Sequence, residues 1–146
     1  MKRSTRFASM LALAMSACAC VAVHDGSAQE TTDGAVRSSW SGVYTAEQAE
    51  RGRETYAGAC QGCHTVASHS GVAFRNGWGG RLLSELLSYL RDQMPKSEPG
   101  SLTPGEYLDI TAYLLKLNGM PAGTVALPDD LAALRRIRID TSAKGP

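Results

Sequence analysis

The pentapeptide Cys60-Gln61-Gly62-Cys63-His64 is the part of this sequence best equipped for chemistry. Residues three apart on a helical turn share a face, so the two thiols point the same way and the imidazole of His64 follows them directly. That spacing suits covalent capture of a porphyrin: each thiol can add to one of two vinyl groups on the same ring edge, while His64 turns beneath the iron. C-x-x-C-H is the attachment signature of c-type haem. Three plainer uses of a cysteine pair fit less well. A thioredoxin-type dithiol belongs in a βαβ setting, which the sequence lacks. Zinc needs two further ligands, and past residue 28 the chain offers only His64 and His69 as histidines and no other cysteine. A disulfide alone leaves His64 without a role.

An iron held by His64 needs a sixth ligand, and methionine is the usual one where the task is electron transfer, because its soft sulfur stabilises ferrous iron and raises the potential. Past residue 28 the thioether candidates are Met94 and Met120, and core filler is the commoner use of either. Position favours Met94. It opens a loop between two helical patterns, with Pro95 stiffening the backbone that must carry sulfur to the distal face. Met120 lies between the last helical pattern and Pro121, in a turn-like setting. His69, or an open distal site, is the remaining alternative, although His69, five residues beyond His64, reads more readily as a loop histidine on the wrong side of the ring.

The elements that must position these groups are helical. Thr45 can cap a helix with Gln48 at capping-box spacing, and Ala49, Gly52, Tyr56 and Ala59 or Cys60 recur at helical intervals up to the cysteines. Residues 65–80 are glycine-rich without sustained periodicity and read as loop, anchored by Phe74 and Trp78. A second helix is expected over 81–92, with Leu82, Leu83, Leu86, Leu87 and Leu90 as its apolar face, ending at Met94-Pro95. Thr103-Pro104-Gly105-Glu106 marks a strong start for a last helix, and Asn118-Gly119 its stop. Tyr107, Ile110, Tyr113, Leu114 and Leu117 line one side of it. Nothing in the tail, where Leu131, Leu134, Ile137 and Ile139 mix with Arg135, Arg136 and Arg138, selects a secondary structure. With no repeat and no alternating strand pattern, the class is all-α.

The 146 residues suffice for one domain with short extensions. Lys2, Arg3 and Arg6 before the uncharged run 7–23 predict a signal peptide over 1–28, cut after Gly26-Ser27-Ala28 to leave Gln29 first. The competing reading is a lipoprotein cut before Cys18, whose lipobox-like Met15-Ser16-Ala17-Cys18 begins with an unfavourable methionine. Export to an oxidising compartment would leave Cys60 and Cys63 exposed as a vicinal pair unless bonded to something. Processing changes the charge from 15 basic and 14 acidic residues to 12 and 13, which argues against nucleic acid as a partner. The chain then divides into a flexible arm over 29–44, a domain over 45–123 and a C-terminal extension over 124–146.

From residue 45 to 123 the chain resembles the class I c-type cytochromes. A helix with Gly52 and Tyr56, then Cys60-Gln61-Gly62-Cys63-His64, then Gln93-Met94-Pro95, then a helix through Ala112-Tyr113-Leu114 follow in that family's order. The resemblance implies a small fold of three to four helices around one covalently attached haem c. It also implies a crossing of the first and last helices, where Gly52 and Tyr56 meet Tyr113 or its neighbours. Met94 would be the distal ligand and Trp78 a hydrogen-bond donor to a haem propionate, where its plainer use is as a core aromatic. A weaker similarity over 99–123 is to cytochromes that accompany periplasmic dehydrogenases. The function expected is therefore a periplasmic one-electron carrier rather than an enzyme. Its redox partners would be a dehydrogenase donor and an oxidase or cytochrome acceptor, met through a small transient interface. A relay subunit of a dehydrogenase complex and a haem sensor or enzyme with a labile distal ligand are the alternatives.

Overall fold

A computed structural model describes residues 35–142. The expected signal peptide, Cys18, the start of the arm and residues 143–146 lie outside them. Among the described residues five helices carry the fold: α1 (Ala46–Ala59), α2 (Gly71–Trp78), α3 (Leu83–Gln93), α4 (Pro104–Leu117) and the single turn α5 (Leu131–Leu134). Two short strands, β1 (Arg37–Ser38) and β2 (Ile137–Arg138), pair in parallel in the register Arg37↔Ile137 and Ser38↔Arg138. The fold is all-α apart from this pair.

Helix α1 starts where Thr45 Oγ1 accepts the Gln48 N–H at 3.2 Å. The Gln48 side chain does not close the expected box. It is buried and pairs with the extension instead, accepting the Leu127 N–H at 2.8 Å and donating to the Leu127 carbonyl at 3.4 Å. A buried amide needs partners for both its donor and its acceptor, and the Leu127 backbone supplies one of each.

Helix α4 has the complete cap expected for it. Thr103 Oγ1 accepts the Glu106 N–H, Glu106 accepts the Thr103 N–H at 2.8 Å, and Pro104 fills the first turn. Every residue from Tyr107 to Leu115 is buried, so the helix is enclosed on all faces rather than along one stripe.

Helices α1 and α4 make the most extensive pairing of the fold. They approach so closely that a Cβ at Gly52 would lie 1.8 Å from the Asp109 carbonyl oxygen, which only glycine allows. Beside this crossing the rings of Tyr56 and Tyr113 sit 5.3 Å apart, and Arg51 forks onto Asp109 at 2.7 and 2.9 Å.

Three further expectations need correction. Residues 65–80 are not loop: a 3₁₀ turn, Val66–His69, precedes α2. Glycine weakens intrinsic helix propensity here, but tertiary anchors override it. Asn118 Oδ1 accepts the Gly71 N–H at 2.9 Å, satisfying an orphan donor of the first turn, and Phe74 is buried in the core. Helix α3 begins at Leu83, two residues later than expected, with Glu85 accepting the Leu82 N–H at 3.1 Å. Finally, residues 37–44, expected to end a flexible arm, pack as part of the fold: Ser39, Val43 and Tyr44 are buried and β1 is paired.

Candidate functional site

The last turn of α1 runs on through the cysteines. Cys60 N–H donates to the Tyr56 carbonyl at 2.9 Å, and Cys63 and His64 N–H both return to the Cys60 carbonyl, at 3.1 and 2.9 Å. This tight turn brings both thiols and the imidazole round to one wall of a cavity of ≈ 410 Å³. Tyr56 and Ala59 of α1, Leu86 and Leu90 of α3, and Ile110 and Leu114 of α4 supply its apolar sides. Met94 and Pro95 line it too, as do Trp78, Arg81 and Tyr89. The favoured haem-binding residues, Cys60, Cys63, His64, Trp78 and Met94, therefore share one cavity.

Met94 caps α3, its N–H donating to the Leu90 carbonyl at 3.1 Å. Its own carbonyl accepts the Tyr107 hydroxyl at 2.7 Å, so α4 pins the backbone that carries the sulfur. Met120 does not line this cavity; it is buried elsewhere in the core, and its carbonyl accepts the Tyr44 hydroxyl.

His69 lines the cavity beside His64, their ring centroids 4.6 Å apart. Its Nδ1 shares a hydrogen bond of 2.7 Å with the Tyr56 hydroxyl, and its carbonyl accepts Asn118 Nδ2 at 3.0 Å. Burial, with a smaller contribution from His64, holds its pKa below the ordinary histidine value. Burial also raises the Cys60 thiol, and pushes Tyr56 up to about 12 with help from Cys60 and Tyr113, so both stay protonated at neutral pH.

Sequence reasoning missed Tyr107, Arg81 and the inward placement of His69. Tyr107 reads as one more apolar-face residue of α4, and nothing in its spacing shows that its hydroxyl reaches Met94. Arg81 reads only as the first residue of the second expected helix. Though exposed, its guanidinium lies 4.6 Å from the Trp78 ring centroid and pairs with Glu85 at 2.8 Å.

The donor set and the walls fit a covalently held haem. Neither cysteine is in a disulfide, the imidazole and a thioether reach the same cavity, the walls are largely aliphatic and aromatic, and the volume lies in the range of cofactor pockets. A simple metal site fits worse: among the described residues no group of three or more His, Cys, Asp or Glu could hold an ion.

Comparison with known proteins gives one family. Residues 47–114 match the family described as cytochrome C oxidase, cbb3-type, subunit III, which supports a c-type cytochrome and haem-based electron transfer. The matched range spans α1, the cysteine motif, the Met94 loop and most of α4. No curated protein and no solved structure matches the chain.

Proposed function

We propose that this chain is an exported mono-haem c-type cytochrome that carries single electrons, with His64 and Met94 as axial ligands. The observation that carries the reading is the meeting of Cys60, Cys63, His64 and Met94 in one apolar cavity built from α1, α3 and α4. Cys60 and Cys63 would hold the haem through thioethers, and the bound group supplies a one-electron ferrous–ferric couple. The chain's own residues keep that couple simple. His64 and Met94 would fill both axial positions, leaving no open site for a substrate. The leucines of α3 and α4 exclude water, and the Tyr107 hydroxyl holds the Met94 backbone in place. Trp78, which lines the same cavity, would donate its indole N–H to a propionate.

Among the described residues no helix is long and apolar enough to cross a membrane. Export through the predicted signal peptide and work in the periplasm follow from the sequence reading. Intact-mass analysis distinguishes a chain starting at Gln29 from one acylated at Cys18. The matched family's description as an oxidase subunit favours a second reading, a relay subunit fixed in a larger assembly; co-purification of a stable partner decides for it.

The test of the central reading is spectroscopic. Wild-type protein matured in an exporting host should carry one haem through denaturing electrophoresis, and the Cys60→Ala/Cys63→Ala double variant should not. Ferric wild type should show the weak far-red band of methionine sulfur on iron, and Met94→Ala should lose it, bind carbon monoxide and fall in potential. A wild type that binds carbon monoxide readily and lacks the band would replace the carrier with the sensor or enzyme reading.

A further inference from the structure

Residues 137–141 form the middle of a three-segment ribbon. On one edge β2 pairs with β1, and the Ser39 N–H donates to the Arg138 carbonyl at 2.9 Å. On the other edge the Gly80 N–H donates to the Ile139 carbonyl at 2.7 Å, the Ile139 N–H donates to the Arg81 carbonyl at 2.8 Å, and Leu82 bridges Arg138 in the antiparallel sense. Successive residues of an extended segment turn their backbone groups to opposite sides, so Arg138 binds the arm while Ile139 binds residues 80–81.

Further contacts lock the tail. The Asp140 N–H donates to Ser39 Oγ at 3.1 Å, Trp40 Nε1 donates to the Asp140 carbonyl at 3.2 Å, and Arg138 Nε binds Asp140 Oδ1 at 2.7 Å. Ile139 and Asp140 are buried. Thr141 lies directly on the turn after α2: a Cβ at Gly79 would meet its Cγ2 at 2.5 Å.

The segment so held is the link between α2 and α3. It contains the glycine pair Gly79-Gly80, with Gly80 at φ +80°, a combination that leaves a chain conformationally loose unless something external holds it. Trp78, the last residue of α2, and Arg81 flank the glycine pair, and both line the cavity.

We propose that residues 137–141, anchored on the arm, are a positioning strap for this cavity wall. They fix where the Arg81 guanidinium and the Trp78 indole stand against the bound haem, and thereby set its reduction potential. The proposal rests on the haem reading given above. Arg81 is paired with Glu85 at 2.8 Å, so the strap holds an ion pair whose cationic end lines the cavity; a cation on that wall would disfavour the more positive ferric state of a bound haem, and a wall free to swing it outward would lower the potential. The strap lies beyond the family-matched range 47–114, so it is a feature of this chain's extension and not of the matched segment.

The test uses the full-length holoprotein. Ile139→Pro removes the N–H that binds Arg81, whereas Ile139→Ala keeps it and loses only packing. The expected result is a lowered potential in Ile139→Pro and a wild-type potential with a lowered Tm in Ile139→Ala. Arg81→Ala should lower the potential by itself, and adding Ile139→Pro to it should lower it by less than Ile139→Pro does in the wild type, because the two changes share the guanidinium and only the Trp78 part is left. An unmoved potential in Ile139→Pro, an equal shift in Ile139→Ala, or additive shifts in the double variant would each overturn the strap. If Ile139→Pro does not fold, amide exchange of the wild-type holoprotein decides. The Gly80 and Ile139 amides should exchange as slowly as those of α4, and exchange at the rate of open loops refutes the proposal. Wild-type protein without covalent haem would overturn the underlying reading; haem present with an unmoved potential overturns the strap alone.

Discussion

Replacing Gly52 by alanine probes the crossing on which the cavity is built. A Cβ there would sit 1.8 Å from the Asp109 carbonyl oxygen, 2.3 Å from its carbon and 2.9 Å from the Ile110 nitrogen. All three are backbone atoms of α4, so no side chain can rotate away, and the helices must part by more than an ångström. Overpacking of a well-filled interior typically costs about 1–3 kcal/mol, and a rigid backbone obstacle places this site at the upper end. Alanine recovers up to about 1 kcal/mol through helix propensity, which is too little to compensate. The net loss should be ~2 kcal/mol or more, equivalent to roughly 10 °C in Tm for a domain of this size. Gly58 is the internal control, because it lies in the same helix and a Cβ there meets nothing within 4 Å. Gly58→Ala should therefore be neutral or stabilise by up to ~1 kcal/mol. Thermal melts of both holoproteins, followed by helical circular dichroism, test the pair. Equal Tm values for Gly52→Ala and Gly58→Ala would refute the close crossing.

Tyr56 should make the fold sensitive to alkali. Its folded pKa is raised to about 12 by burial, then by Cys60 and Tyr113, while a tyrosine in the unfolded chain ionises near ~10. Between these values the unfolded state has released a proton that the folded state retains, so stability is full below the lower value and falls as pH rises through the higher one. Tyr56→Phe should flatten that part of the urea-midpoint curve against pH, and an unchanged slope would count against the burial argument. Met120→Ala should lower stability by about 2 kcal/mol from lost packing and leave the far-red band and potential as in wild type, since Met120 lies outside the cavity. A lost band there would transfer the ligand assignment away from Met94. Thr103→Ala should cost about 1 kcal/mol in a denaturant titration, because its hydroxyl accepts the Glu106 N–H at the start of α4.

What the sequence determined by itself was local. The spacing of Cys60, Cys63 and His64 names its chemistry because the three lie within a single turn. The cap at Thr103 and the stop at Met94-Pro95 are likewise set by residues that act on their immediate neighbours. The aliphatic face of α3 was legible because Leu83, Leu86 and Leu87 recur at helical period, and all three are buried. Tertiary structure decided what depends on partners distant in the chain. Helix α2 exists because Asn118 satisfies the Gly71 N–H and the core takes Phe74, neither of which local propensity records. Gln48 looked like half of a capping box and became the anchor of Leu127, because a buried amide takes the partners the fold offers. The tail gave no periodic signal because its segments are too short to show one: a single helical turn and a two-residue strand. Its order comes from β1 on one edge and the Gly80–Arg81 backbone on the other, and those hydrogen bonds form only once residues about 60 to 100 positions away in the sequence have been brought alongside.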